Sequence, residues 1–111
     1  MIAVIFELEP RTGMTDRYLE KAADLKPLVE GMDGFISVER FQSLANPGKY
    51  LSLSFWRDED AVKSWRELMA HREAQRLGRA EIFQHYRLRV AQVVRDYGMS
   101  DRAQVPDGAV D

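Results

Sequence analysis

The first strand is the sequence feature that most constrains the fold. Residues 2–9 read IAVIFELE, a run of β-branched and aromatic residues that ends at a Pro-Arg-Thr-Gly breaker, which predicts a β-strand. Alternate residues of a strand point to opposite faces of its sheet. Apolar groups fall on both faces: Ala3 and Ile5 on one, and Ile2, Val4, Phe6 and Leu8 on the other. The sheet therefore needs cover on both sides.

The second element is predicted to be a helix. Apolar residues between positions 18 and 25 recur at helical spacing, and Thr15 or Asp16 is expected to cap a helix that starts near residue 16. Pro27 has no amide hydrogen, so we expect it to kink or restart this helix before the glycines at 31 and 34 end it.

Two strands and a second helix follow. Residues 35–41 and 50–56 are predicted strands, separated by an Asn-Pro-Gly turn at 46–48. Asp58 is expected to cap the second helix, and further helical character is predicted from about residue 71 to 83, with an interruption near Gly78. The apolar face of the second helix is predicted to comprise Ala61, Val62, Trp65, Leu68 and Met69.

The last strand completes a recognisable order of elements. Residues 86–97 are predicted to form a fourth strand, which gives strand, helix, strand, strand, helix, strand. This order predicts a ferredoxin-like α+β fold, an antiparallel four-stranded sheet with helices on one face. The bare second face predicts a homodimer. We expect one domain over 1–98, followed by a polar tail over 99–111.

Composition narrows the class of protein. The chain has 111 residues with 45% hydrophobic and 31% charged side chains, which is typical of one globular domain. A formal net charge of -2 argues against a general nucleic-acid binder. There is no cysteine, which excludes disulfides and thiolate chemistry and suits the cytoplasm. The first residues lack a signal-peptide pattern, and no apolar run is long enough to span a membrane.

Several stretches together resemble a known family. DGFISVERFQS, NPGKYLSLSFWRDEDAVKSW, HREAQ and YRLRVAQVVRDYG are similar to the antibiotic-biosynthesis monooxygenase (ABM) superfamily over roughly residues 1–97. The most specific pieces are the junction of Phe55 to Ala61 and Trp65 in the helix after it. The resemblance implies a dimeric α+β barrel, in which two sheets pack face to face, with a small-molecule pocket between the helices and the sheet of each protomer.

The resemblance implies an oxygenase. One branch of the family oxidises quinols, anthrones and related aromatic polyketides with dioxygen and no cofactor, and Trp65 and His71 fall where that branch places a tryptophan and a hydrogen-bonding group. We expect His71 to act as the base, because an imidazole titrates near neutral pH. We expect the Trp65 indole N–H to donate to a substrate carbonyl or a dioxygen species. The alternatives are a core role for Trp65 and a surface position for His71.

Four further residues are candidates for substrate binding. Arg87 and Arg89 on the last strand are expected to stabilise an oxyanion or an anionic substrate, and Glu7 to act as a second base if it is buried. Phe55, at the family junction, is expected to contact the substrate. The alternatives are ordinary cross-strand ion pairs for the arginines and a water-facing position for Glu7.

Other functions stay open. A haem-degrading branch of the family has a first-strand Asn, a helical Trp and a later His; here these positions hold Glu7, Trp65 and Gln75, so His71 would have to reach the iron. A protein that only binds a small ligand, and a dimeric scaffold without a pocket, are further alternatives. No motif predicts another metal site, since His71 and His85 lack metal-ligand spacing. We interpret the arginines of the second helical region as a solvated face because glutamates interleave with them: Arg66, Arg72, Arg76 and Arg79.

Overall fold

Four antiparallel strands form one sheet, with the helices on one of its faces, as the sequence predicts. The computed structural model describes residues 1–73 and 79–108. The strand order is β2-β3-β1-β4, the order of a ferredoxin-like α+β fold. The elements in chain order are β1 (Ile2–Pro10), α1 (Thr15–Glu30), β2 (Phe35–Gln42), β3 (Tyr50–Trp56), α2 (Glu59–Glu73), α3 (Arg79–Ile82) and β4 (Phe83–Gln92).

The register assigns every strand residue to one of two faces. β1 pairs with β3 so that Val4 lies opposite Ser54 and Phe6 opposite Ser52, on the face that the helices cover. The intervening pair of Ile5 and Leu53 points to the opposite side, which we call the far face. The helix-covered face of the sheet therefore carries the even-numbered residues of β1 and β3.

Two separate apolar clusters hold the helices to the sheet. The first contains Trp56, which is only 1% exposed, packed against α1 and α2. The second contains Leu8, which is also 1% exposed, packed against Tyr18 of α1 and Ile82 of α3. The other buried members of the first cluster are Ile2, Val29, Ala61 and Val62. The two clusters lie at opposite ends of the sheet, because β1 carries Ile2 and Leu8 at its opposite ends.

α1 differs from the prediction in two respects. Its first residue is Thr15, its N-cap is Met14, and no side chain caps it; instead, the Met14 amide donates to the Arg11 carbonyl at 2.8 Å. The expected capping by Thr15 or Asp16 was therefore wrong. The helix also runs through Pro27 without restarting. The carbonyl left without its amide partner belongs to Ala23, which is exposed, as is Pro27, so it is accessible to solvent.

The predicted start of α2 is confirmed. The Ala61 amide donates to Asp58 Oδ1 at 2.9 Å, a side-chain cap, and Glu59 and Asp60 occupy the first turn. Asp58 also accepts from Arg57 at 2.9 Å, and this hydrogen bond is the main cause that lowers the pKa of its carboxyl. Helical structure continues to residue 73 and resumes in α3; Gly78 and the rest of 74–78 lie outside the described residues.

β4 begins and ends earlier than predicted. It covers 83–92 instead of 86–97, because its length is fixed by its partner β1: Gln92 lies opposite Ile2, and Phe83 opposite Pro10 after a register shift. Beyond Gln92, the described chain to residue 108 forms turns, one of them closed by Asp96 N and the Gln104 side chain at 2.8 Å. Within the part of the chain that the structure describes, no helix has the length and hydropathy needed to cross a membrane.

Candidate active site

A strip of small polar residues separates the two apolar clusters on the helix-covered face. β3 presents Ser52 and Ser54 there, between Phe6 and Val4 of β1 on one side and Arg40 and Val38 of β2 on the other. Both serines are half-buried. Ser54 accepts a hydrogen bond from Trp56 Nε1 at 2.9 Å, whereas the Ser52 hydroxyl has no hydrogen-bond partner within the described chain. We call the surface formed by these two serines and the side chains that flank them the serine cleft, a name that rests on the register of the strands.

Trp65 forms the wall of the serine cleft on the side of the first cluster. Its ring lies 6.3 Å from that of Trp56, tilted by 33°, and it is half-buried against the first cluster. The two indoles differ in their polar ends: Trp56 Nε1 is bonded to Ser54, but no described residue accepts a hydrogen bond from Trp65 Nε1. Trp65 is thus a core-packing residue with a hydrogen-bond donor left over.

Arg40 and Tyr18 form the opposite wall. Tyr18 is buried in the second cluster, and its hydroxyl accepts a hydrogen bond from Arg40 Nε at 2.9 Å. The guanidinium carbon also lies 5.5 Å from the centre of the Tyr18 ring. Burial raises the pKa of the Tyr18 phenol, and the Arg40 charge opposes this only in part, so Tyr18 stays protonated at neutral pH. Sequence reasoning identified neither residue.

Arg72 is a second residue that sequence reasoning missed. It was predicted to lie on a solvated face, but it is half-buried, and its Nε is buried without a hydrogen-bond partner in the described structure. It follows Trp65 by seven positions, or nearly two turns, so the two share a face of α2. The seven-residue spacing from Trp65 is the sequence signal that could have identified Arg72. A buried N–H without a hydrogen-bond partner lowers the free energy of unfolding by about 1–3 kcal/mol. The Arg72 Nε is therefore a donor that a ligand could satisfy.

His71 lies on a different side of α2. It is exposed in the last turn, six positions after Trp65, which places it roughly 120° around the helix from the tryptophan. The structure therefore does not bring the two predicted catalytic residues onto one face. His85, the other histidine of the chain, lies opposite Glu9 on the far face of the sheet.

Three of the predicted substrate-binding residues meet on the far face. Glu7 lies opposite Arg87 on β4, and its carboxylate contacts Arg89 Nη1 at 3.3 Å and Lys49 Nζ at 3.5 Å. These cations lower the pKa of the Glu7 carboxyl, the charge of Lys49 first. Glu7 is therefore an ionised ion-pair partner. This group borders an open cleft of about 250 Å³ that is also lined by Glu9, Lys49 and His85.

Phe55 also lies on the far face, opposite Ala3. It is half-buried beside Leu53 and Ile5, toward the other end of the sheet from Glu7. The sheet thus separates Glu7, Phe55 and the two β4 arginines from Trp65. Within one protomer they do not line the serine cleft, and their arrangement is that of a surface with an apolar centre and a charged end.

Comparison with known proteins places the chain among named relatives. The family model described as antibiotic biosynthesis monooxygenase matches residues 1–77. A jasmonate monooxygenase ABM from Pyricularia oryzae is 47% identical over 93 residues, 84% of this chain, but the chain spans only 43% of that protein's length. An uncharacterized protein, YqjZ, from Bacillus subtilis is 32% identical over 84% of this chain and 79% of its own length.

Solved structures share the fold at lower identity. Rv0793 from Mycobacterium tuberculosis has a TM-score of 0.75 at 17% identity, covering 87% of this chain and 98% of its own. The heme-degrader MhuD from the same organism, solved with two hemes bound, has a TM-score of 0.71 at 18% identity, covering 88% of this chain and 100% of its own. At these identities the likeness concerns the fold alone.

Proposed function

The chain belongs to the antibiotic biosynthesis monooxygenase family, and from this premise we propose that it oxidises a small aromatic molecule with dioxygen, without a bound cofactor, in the serine cleft. The observation that carries the proposal is the unpaired Trp65 indole N–H beside the half-buried serines of β3. The Trp56 N–H is bonded to Ser54, whereas Trp65 Nε1 is open to solvent and has no partner among the described residues. An unpaired donor beside an accessible strip is suited to a ligand.

The reaction needs few protein groups. An anthrone or quinol that loses a proton becomes electron-rich enough to pass an electron to dioxygen. For an anthrone, the balance is one CH₂ group and one O₂ giving one C=O group and one H₂O, with no external reductant. The protein must supply a base, hydrogen-bond donors for the oxyanion and a cavity that excludes water.

The donors are Trp65 and Arg72, which share one face of α2. Removing one preorganised donor of this kind typically lowers kcat by about 10²–10³. For the base we retain His71, the residue proposed from sequence. Its exposed position lies off the Trp65 face, so the geometry does not support this role and His71→Ala is the decisive variant for it.

Jasmonate is a second candidate substrate. It is favoured by one observation, the 47% identity to a protein named jasmonate monooxygenase over most of this chain. The serine cleft has apolar walls and a cation at one side, which suits a small cyclic acid. Because this chain spans less than half of that relative, jasmonate belongs in the test panel next to the aromatic compounds.

The residues fit a haem enzyme poorly. Glu7, at the position of the first-strand Asn, faces away from Trp65, and neither histidine of the chain shares the Trp65 face of α2. Gln75 lies outside the described residues. We therefore derive no step through haem, and a haemin titration monitored by its absorption band tests this conclusion.

The test of the proposed activity is oxygen uptake by metal-stripped protein with quinols, naphthols, anthrones and jasmonate. Trp65→Phe and His71→Ala are the active-site variants, and Arg66→Ala, exposed on the same helix, is the control. We expect uptake that falls at least about 10²-fold in Trp65→Phe and is unchanged in the control. Ligand binding without uptake from any compound would instead support a non-catalytic binding protein.

We further propose that the far faces of two chains pack together in a homodimer. Ile5, Leu51, Leu53 and Phe55 are only half-buried there, and Phe41 is 43% exposed, so one protomer leaves a broad apolar surface. Light scattering at micromolar concentration should give twice the mass of the chain, and a monomeric mass would contradict the proposal. The Leu53→Glu variant should be monomeric, since it places a charge at the centre of that surface.

A further inference from the structure

We propose that Arg40, oriented by Tyr18, binds a carboxylate, and that the substrate of the serine cleft is therefore a small organic acid held by its acid group. The proposal assigns a substrate class and a specificity residue to the site. The part of its test that measures oxygen uptake rests on the proposed monooxygenase function, whereas the part that measures ligand binding does not.

The first argument is the way Arg40 is held. Its Nε donates to the Tyr18 hydroxyl at 2.9 Å and its guanidinium carbon lies 5.5 Å from the Tyr18 ring centre, so a buried side chain orients the guanidinium of a residue that is itself exposed. This uses only one of its five N–H donors. No described acidic side chain pairs with the terminal nitrogens, whereas Arg57 and Arg89 each contact a carboxylate.

The second argument is the chemistry of the remaining donors. Two terminal NH₂ groups in a fixed plane match the two oxygens of a carboxylate, and such bidentate pairs are stronger and more specific than single contacts. Because Tyr18 accepts from Arg40 through its oxygen and stays protonated, its own O–H is also available to donate. The wall thus presents a cation and several donors, which favours an anionic ligand over a cationic one.

The third argument is position. Arg40 lies opposite Ser52, which lies opposite Phe6, so the guanidinium stands at the edge of the serine cleft and its neighbours across the sheet are small or apolar. From Ser52 to Trp56 the strand rises roughly 13 Å, at about 3.3 Å per residue. An acid anchored at Arg40 would therefore direct its ring system along β3 toward Trp65, whose ring lies 6.3 Å from that of Trp56.

The test compares acids with their methyl esters. The probes are 1,4-dihydroxy-2-naphthoate and jasmonate, each with its neutral ester, titrated calorimetrically under anaerobic conditions so that binding is measured without turnover. We expect the wild-type protein to bind each acid at least about tenfold more tightly than its ester. Arg40→Gln should abolish this preference, and Arg40→Lys should retain only part of it, because a lysine lacks the planar pair of donors.

Two further variants separate orientation from charge and from folding. Tyr18→Phe keeps the ring in its cluster but removes the hydroxyl that holds Arg40, so it should reduce the preference while the protein stays folded. Arg17→Gln, which removes an exposed charge next to Tyr18 in the chain, should leave the preference unchanged. Circular dichroism and a thermal melt verify that each variant is folded.

The outcomes distinguish this inference from the proposed function. Equal affinity for acid and ester in the wild-type protein, a preference that survives Arg40→Gln, or no binding of either acid would each overturn the inference. Oxygen uptake that is equally fast with acid and ester would also overturn it, while leaving the monooxygenase proposal intact. Binding that depends on Arg40 without oxygen uptake would support the inference and refute the oxygenase.

Discussion

Gly34 places the N-terminal end of α2, and Gly34→Ala is the sharpest test of how rigidly it does so. Its φ is +84°, a conformation that L-residues rarely adopt, and a Cβ built there would lie 2.7 Å from the Cβ of Ala61 and 3.3 Å from the Arg57 guanidinium. The Gly34 carbonyl also accepts from the Arg57 amide at 2.7 Å, so this backbone cannot easily move away. Ala61 lies one turn before Trp65, so a shift here displaces the wall of the serine cleft.

The magnitude follows from two contributions. Left-handed backbone costs a non-glycine residue about 1–2 kcal/mol, offset by about 0.4–1 kcal/mol of lost freedom in the unfolded chain. Overpacking against Ala61 adds about 1–3 kcal/mol. Gly13 isolates the first contribution, because its φ is +81° and nothing lies within 4 Å of a Cβ built there. We therefore expect Gly34→Ala to lose about 1–3 kcal/mol more unfolding free energy than Gly13→Ala.

The assay is urea denaturation at fixed protein concentration, followed by tryptophan fluorescence, to which the buried Trp56 and the half-buried Trp65 both contribute. A double-mutant cycle adds Ala61→Gly, which costs about 1 kcal/mol alone as a helix substitution but removes the atom that the new methyl group meets. The double variant should therefore recover most of the overpacking. Equal losses for Gly34→Ala and Gly13→Ala, or no coupling in the cycle, would refute the reasoning, since the clash with Ala61 would then be relieved by movement of α2.

Three further predictions follow from the site and its ion pairs. Ser52→Leu should fill the serine cleft, weakening acid binding at least about tenfold with little loss of thermal stability; unchanged binding would place the ligand elsewhere. Titration of tyrosine absorbance should show one phenol with a pKa above the ordinary value of 10.0, and this phase should disappear in Tyr18→Phe. Because folding raises the Tyr18 pKa, the phenol's contribution to the free energy of unfolding is complete below pH 10 and is lost as the pH rises through its pKa in the folded protein. Arg57 lowers the pKa of Asp58 below 3.8. The wild-type protein should therefore be more stable than Asp58→Asn above pH 3.8, and this difference should disappear as the pH falls through the Asp58 pKa of the folded protein, as measured by urea midpoints between pH 5 and 2.

Local patterns predicted most of the fold. The alternation in β1 correctly separated Ile5 from Phe6, and the acidic residue after Trp56 correctly marked the cap of α2. The predictions that were wrong concerned features that depend on the surroundings of an element. The ends of β4 are set by the length of β1, and the exposed position of Pro27 allows it to remain inside α1. A sequence pattern does not contain the length of a neighbouring strand.

The candidate site was predicted less completely, for a related reason. The two-residue alternation of a strand shows that Glu7 and Phe6 point to opposite faces of the sheet, but not which face the helices cover. For this reason Glu7 was predicted to belong to the same site as Trp65. Arg72 was assigned to solvent because glutamates flank it, although its spacing from Trp65 places it on the apolar face. Arg40 gave no signal, because its role depends on a hydrogen bond to Tyr18, 22 positions earlier in the chain.

The serines of β3 are a second argument, beside the Trp65 N–H, that the cleft serves a ligand. They occupy the middle of the helix-covered face of an interior strand, where a chain that was optimised only for stability would place leucine or valine. A fully buried residue of that kind contributes about 1.5–3 kcal/mol. Because the two positions are only half-buried, the serines forgo less than roughly 3–6 kcal/mol, against about 5–15 kcal/mol for a typical whole domain. The two apolar clusters stabilise the fold at either end, and the stability lost between them is what one expects where a binding site replaces part of a core.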